Sequence, residues 1–254
     1  MTFVQENFEL YLLIFVRITG FLYTAPFFSL KNVPIRIKIG ISIFLSILLL
    51  YTISSDMPQY NSVIEYAILI TKEVIVGVLM GFFANIAYYI ISFSGQIIDM
   101  EIGFSMVNQL DPLSNIQTTI SSNFYGYLIL LMMMITNLHH FFIKALVDSY
   151  QVVPLGKAVF NPGMYVVMVR FITDYFIIGF RIVLPVFAAI MIVNTILAIL
   201  AKIAPQMNMF VVGMQLKLFV GIFVLILIVE LIPAVSDFIF NEMMTMLKSI
   251  LEYM

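Results

Sequence analysis

Several charged side chains lie where an apolar chain should not carry them. Arg17, Lys72, Glu73, Arg170, Asp174, Arg181, Lys217 and Glu230 all fall inside long apolar stretches. A charge in lipid is expensive, so each must face protein or water. Two chemistries could use such groups: a proton or substrate path, or internal ion pairs that lock helices together. Arg170 and Asp174 stand four residues apart and can share one helix face. Pairing and packing is the expected role of the set. Among the other carboxylates, Asp99 and Glu101 are two residues apart, and such positions face away from each other on a helix. With Glu73 they do not make a catalytic pair. His139 and His140 are adjacent, so their side chains are expected to point in different directions, at a loop or helix end near the membrane surface. A metal site needs convergent ligands, and none is expected here.

The chain has no cysteine, which excludes disulfides, thiolate zinc sites, iron–sulfur clusters and cysteine nucleophiles. It shows no P-loop, nucleophile elbow or zinc-binding helix motif. No enzymatic activity and no cofactor are expected.

The elements that must position these residues are apolar throughout. Of 254 residues, 63% are hydrophobic and only 10% are charged, against roughly 25% charged in a soluble domain. A soluble fold of this size could not hide so much apolar surface. The net charge of −2 gives no basic footprint for nucleic acid. The N-terminal stretch carries Glu6 and Glu9 rather than a basic start, so it reads as a first hydrophobic helix and not a cleavable signal.

Six apolar blocks run roughly over 10–30, 37–55, 63–98, 124–147, 165–200 and 208–235, each near or above the ~20 residues that cross a hydrocarbon core. The third and fifth, at about 36 residues, would be roughly 54 Å long as continuous helices. They must tilt, break or project from the bilayer. Pro185 lies in the middle of the fifth block and is expected to split it. Broken helices belong where backbone lines a cavity, which favours transport over a mere anchor. The basic cluster Lys31, Arg36 and Lys38 favours the cytoplasm for the first connection. Met132 to Met134, within a total of 18 methionines, suit an adaptable helix core or a flexible channel wall. Residues 99–123 form a polar stretch long enough to be a functional loop. The tail after Val235 is an amphipathic helix candidate.

Gly77 and Gly81 have the spacing that lets two helix backbones approach closely, with Gly95 further on. In chain order these residues belong to a longer pattern. Arg17, Thr24 to Phe28 with Pro26, and Val33 to Lys38 with Pro34 come first. Glu73, Gly77, Gly81 and Gly95 to Asp99 follow, then Gly103 to Ser105 and Asp111-Pro112. Leu146 to Tyr150 and Pro154 to Gly156 come next. The run Ala204 to Gly213, with Pro205 and Gln206, then leads to Leu216-Lys217-Leu218 and Gly221. This ordered set spans nearly the whole chain and resembles the FliR family of flagellar biosynthesis and type III secretion export-gate proteins, with SctT-like relatives in injectisomes.

The resemblance implies an all-α membrane protein over residues 1–254, built of long, broken and tilted helical hairpins that assemble into a helical hetero-oligomeric export gate. It implies FliP-like and FliQ-like gate subunits, FlhB-like and FlhA-like export components, and unfolded export substrates as partners. The implied place is the bacterial inner membrane at a flagellar basal body, raised in part toward the periplasm. The candidate plug of the lumen is then Ser105, Met106, Val107, Asn108, Gln109, Leu110 and Asp111. A different class stays open beside this one: a secondary transporter or channel with broken transmembrane helices, which would work alone or as a homo-oligomer.

Overall fold

In a computed structural model, the chain is described over residues 2–30, 33–53, 58–104, 109–110 and 117–254. The described elements are helices, apart from one two-residue ribbon. They are α1 Thr2–Thr24, α2 Ile35–Thr52, α3 Val63–Ala84, α4 Ile86–Ile102, β1 Gln109–Leu110, β2 Gln117–Thr118, α5 Ile120–Ile135, α6 Leu138–Val152, α7 Met164–Ile203, α8 Met209–Val229 and α9 Ile232–Glu252. The chain is an all-α membrane protein. By length and composition α2, α3, α7 and α8 can each cross a membrane. The pair α5 and α6, bent by 69°, would be a fifth span if counted as one.

The over-long third block is broken. It divides into α3 and α4 at Asn85, whose amide is shared between the carbonyls of Gly81 and Phe82. The fifth block does not divide where expected. α7 is one helix of 40 residues that runs through Pro185. Proline removes one amide donor and costs a helix interior several kcal/mol in water. In an apolar setting, abandoning the remaining intrahelical bonds would cost more, so a proline is tolerated.

Helix ends follow local chemistry. Ser62 caps α3 by accepting the Glu65 amide at 3.3 Å, while Glu65 reaches back to accept the Asn61 amide at 2.5 Å. This is a close variant of the capping box. α2 begins directly after Pro34, a residue whose missing donor costs nothing at a helix start. Between α7 and α8, Pro205 follows the helix end and Asn208 accepts the Phe210 amide at 3.2 Å as the cap of α8.

The chain falls into two compact units. The first comprises Met1–Ile86, Met134–Phe171 and Asn241–Met254. Its core is α1 packed on α3 and on α2. Leu13, Ile14, Ile18, Phe21 and Leu22 are at most 1% exposed and form one helical stripe. Tyr60 and Tyr66 both donate to Glu9, at its carboxylate and its carbonyl respectively, fixing α1 to the start of α3. At the end of α9, Val159 and Asn161 donate their amides to the carbonyls of Met254 and Tyr253.

The second unit comprises Ala87–Met133 and Ile172–Phe240. Ser94 donates to the carbonyls of Ile90 and Gly179, and Phe93 packs edge-on against Phe176 and Phe180. Gly213 sits against Leu197, and Gly221 against Ile102. The spans bury little of themselves: 17% of the α2 and α8 windows and 22% of the α7 window. Lipid or partner protein must cover the rest.

Candidate functional site

The motif residues of the first unit converge on one buried ion pair. Arg17 on α1 and Glu73 on α3 are both fully buried, and Arg17 Nε donates to Glu73 Oε2 at 2.5 Å. Arg17 Nη1 donates to the Val153 carbonyl at 2.9 Å and lies 3.4 Å from the Ser149 carbonyl. The guanidinium sits over the Tyr150 ring, 4.3 Å from its centroid. Tyr150 in turn donates to the Ile14 carbonyl. The second carboxylate oxygen, Glu73 Oε1, accepts the Gly156 amide at 2.8 Å. Two charges inside an apolar core thus pair with each other, with Arg17 Nη2 left without a hydrogen bond, and tie α1, α3, the end of α6 and the turn after it.

The backbone makes this closeness possible. A Cβ at Gly77 would run into the Arg17 carbonyl, and one at Gly81 into the Thr24 hydroxyl and the Phe21 carbonyl. Gly156 has φ +72°, and a Cβ there would stand 2.7 Å from Pro58. Pro154 precedes it and accepts the Lys157 amide across the turn. Gly77→Ala is expected to cost about 1–3 kcal/mol through overpacking. Gly40→Ala, on exposed α2 with nothing within 4 Å, is expected to be neutral or slightly stabilising. Thermal midpoints of the detergent-solubilised chain compare the two. Equal midpoints would remove the packing role of Gly77.

In the second unit the centre is Asp99, near the end of α4 and fully buried. Its carboxylate accepts the Ser121 amide at 2.7 Å and the Ser121 hydroxyl at 2.5 Å. Ser121 lies in the first turn of α5, so a negative group satisfies free amides at a helix N-terminus. Beside it, Ser122 donates to Ser92, and a Cβ at Gly95 would collide with the Ser122 backbone. Gly103, at φ +101°, ends α4 with its amide on the Asp99 carbonyl. The connection from α4 to α5 is therefore clasped at its base. Within it, β1 pairs antiparallel with β2, Gln109 opposite Thr118 and Leu110 opposite Gln117. The polar loop is shorter than composition indicated, because α4 reaches Ile102 and α5 starts at Ile120. Ser105, Met106, Val107, Asn108, Asp111 and Pro112 lie outside the described residues, and Gln109 and Leu110 are described by their backbone.

The remaining sequence candidates sit apart from these centres. Pro26 follows α1 and accepts the Phe28 amide around Phe27, which has φ +66°. Pro34 leads into α2, and Pro205 and the exposed Gln206 lie between α7 and α8. Lys217 is half-buried on α8. His139 and His140 open α6, but their rings do not diverge: their centroids are 4.1 Å apart, and Phe27 meets His139 edge-on. In the first helical turn the two flat rings are free enough to swing together. Among the described residues no group of three His, Cys, Asp or Glu side chains is placed to hold a metal ion.

Sequence reasoning did not pick out Ser121 or the Val153 carbonyl. A serine in the first turn of a helix that follows a polar loop is a usable signal for the former. A backbone acceptor leaves no trace in side-chain identity.

A buried ion pair locking apolar helices, and a clasped polar loop between two others, define an integral membrane protein with a built-in loop rather than an anchor. The chain belongs to the bacterial export proteins, family 1, which it matches over residues 8–243. It is 32% identical over 256 residues to the flagellar biosynthetic protein FliR of Bacillus subtilis, covering 99% of this chain and 98% of that protein. It is 26% identical over 244 residues to FliR of Escherichia coli, covering 96% and 93%. It is 27% identical over 235 residues to FliR of Aquifex aeolicus, covering 90% and 88%.

Proposed function

We propose that this chain is a core subunit of a flagellar-type III export gate in the bacterial inner membrane, where it lines part of the channel that unfolded proteins cross. The observation that carries the reading is the family match across residues 8–243, which takes in both buried centres. The whole chain acts as one gate subunit, assembled with FliP-like and FliQ-like subunits and joined by FlhB-like and FlhA-like components. Part of the assembly is raised toward the periplasmic side. Low burial of α2, α7 and α8 within the chain supports a life in such an assembly. The chain works passively, without catalysis of its own, and the energy comes from partner proteins.

Residues 105–111 act as the plug. The support is positional: they belong to the connection whose base Asp99 and Ser121 hold together.

The test is co-expression with the FliP-like and FliQ-like neighbours, followed by a pull on a tag carried by this chain and a mass measurement of the intact complex in detergent. A discrete hetero-oligomer of all three is expected. A stable monomer or homo-oligomer that ignores them would sink the gate and favour a transporter. In the assembled complex, deletion of residues 105–111 is expected to raise small-ion leak; an unchanged leak would remove the plug assignment.

A further inference from the structure

The two units treat their buried carboxylates differently. Glu73 in the first unit faces the guanidinium of Arg17. Asp99 in the second is equally buried, yet among the described residues no Lys, Arg or His pairs with it. Its partners are the amide and hydroxyl of Ser121. They lie at a helix N-terminus, which supplies only about half a positive charge. A buried carboxylate without a full counter-charge is costly. Of the roughly four acceptor positions on a carboxylate, Ser121 takes two.

Two more oxygens flank this place. Thr119 stands two positions before Ser121, and Tyr125 stands one helical turn after it, on the same face of α5. Thr119 is 8% exposed and Tyr125 is 5% exposed. Neither hydroxyl has a hydrogen-bond partner among the described residues. The buried hydroxyls of Ser46, Ser94, Ser149 and Ser236, by contrast, each donate to a backbone carbonyl. The charge of Asp99 acts on the Tyr125 phenol, so the two groups share one electrostatic neighbourhood. Two orphaned hydroxyls thus accompany the one buried carboxylate that lacks a cation.

We propose that Asp99, Thr119 and Tyr125 hold a hard monovalent cation, sodium or potassium, at the base of the connection between α4 and α5. Its ligands are the two acceptor positions that Ser121 leaves free on Asp99 and the hydroxyl oxygens of Thr119 and Tyr125. A water molecule in their midst satisfies the hydroxyls but leaves the carboxylate charge unbalanced. A divalent ion takes about six or more oxygens, several of them from carboxylates. With one carboxylate it would leave net positive charge buried, and among the described residues no group of three His, Cys, Asp or Glu is placed to hold it. A monovalent ion brings the buried charge to zero. The cation then adds a third member to the clasp of Asp99 and Ser121. The inference rests on this buried cluster and not on the gate reading.

The experiment measures the thermal midpoint of the full chain in detergent, in sodium, potassium or choline chloride at equal concentration. Sodium or potassium is expected to raise the midpoint over choline, saturably, by about 3–6 °C at about ten times the dissociation constant. Asp99→Asn should abolish the difference between the salts. Tyr125→Phe and Thr119→Val should each weaken the apparent affinity for the ion about tenfold. A fold damaged in general would lower the midpoint in all three salts, whereas loss of the site removes only the difference between them. Should Asp99→Asn fail to fold, Tyr125→Phe decides alone. Equal midpoints of the wild type in the three salts overturn the proposal and leave water as the occupant. A response to sodium or potassium that survives unchanged in Tyr125→Phe and Thr119→Val overturns it as well, because the ion then binds elsewhere. The readout needs no partner subunit and no export, so this inference and the gate reading fail separately.

Discussion

Arg17→Met with Glu73 left in place is expected to destabilise the first unit by about 3–5 kcal/mol, because it strands a carboxylate in a fully buried site. Glu73→Gln should cost less than Glu73→Ala. The amide keeps an acceptor for the Gly156 amide, now met by Glu73 Oε1 at 2.8 Å, but leaves the guanidinium without its counter-charge. The double variant Arg17→Met, Glu73→Leu removes both charges at once. It should recover much of the loss, since a buried pair replaced by apolar residues of similar volume is often neutral or better. Recovery will be incomplete for a structural reason. Arg17 also donates to the Val153 carbonyl at 2.9 Å, and Gly156 also donates to Glu73, so one acceptor and one donor are left unpaired. Each unmet buried group costs about 1–3 kcal/mol. For a chain of this size the single variants should lower the thermal midpoint by about 10 °C. A double variant as unstable as the worse single one would show that the site is held by packing and backbone bonds, with the ion pair incidental.

The same pair shows what could be read from sequence. Charges in apolar blocks must find partners, so internal pairing was the natural expectation for Arg17 and Glu73. Their separation of 56 positions hides which charge meets which. Apolar periodicity marked the helices because lipid and core impose one pattern on both. It could not rank two possible breaks. α3 ends at Asn85, whose backbone amide is shared between two carbonyls, a bond that any residue but proline could make, while Pro185 stays inside the continuous α7. Glycine spacing marks close helix approach at Gly77 and Gly81, yet only the fold shows that the opposing surface is the carbonyl edge of α1. The polar loop was visible by composition. Its clasp was half visible: Asp99 stood out as a charge, and Ser121 was one serine among several.

That clasp carries the second large effect. Asp99→Ala should loosen the base of the loop and raise small-ion leak through the assembled complex. The carboxylate now meets two donors of one residue, at 2.7 and 2.5 Å, in a fully buried position. Hydrogen bonds to a charged group contribute about 1.5–3 kcal/mol, and loss of a helix cap costs about 0.5–2 kcal/mol. Removing Asp99 removes both contributions and leaves the Ser121 amide and hydroxyl without acceptors. Ser121→Ala loses the hydroxyl bond and keeps the amide bond, so its leak should be smaller. Asp99→Asn keeps one acceptor oxygen for the amide but loses the charge, and should fall between the two. The order Asp99→Ala, Asp99→Asn, Ser121→Ala follows from counting the bonds each change leaves. A merely structural role for Asp99 predicts something else: loss of complex mass in step with leak, with no leak in complexes that stay whole. Conductance of reconstituted complexes, compared at equal assembled mass, separates the outcomes. Intact complexes of Asp99→Ala that leak no more than the wild type would mean that the clasp sets helix stability alone and that the loop between α4 and α5 does not close the channel.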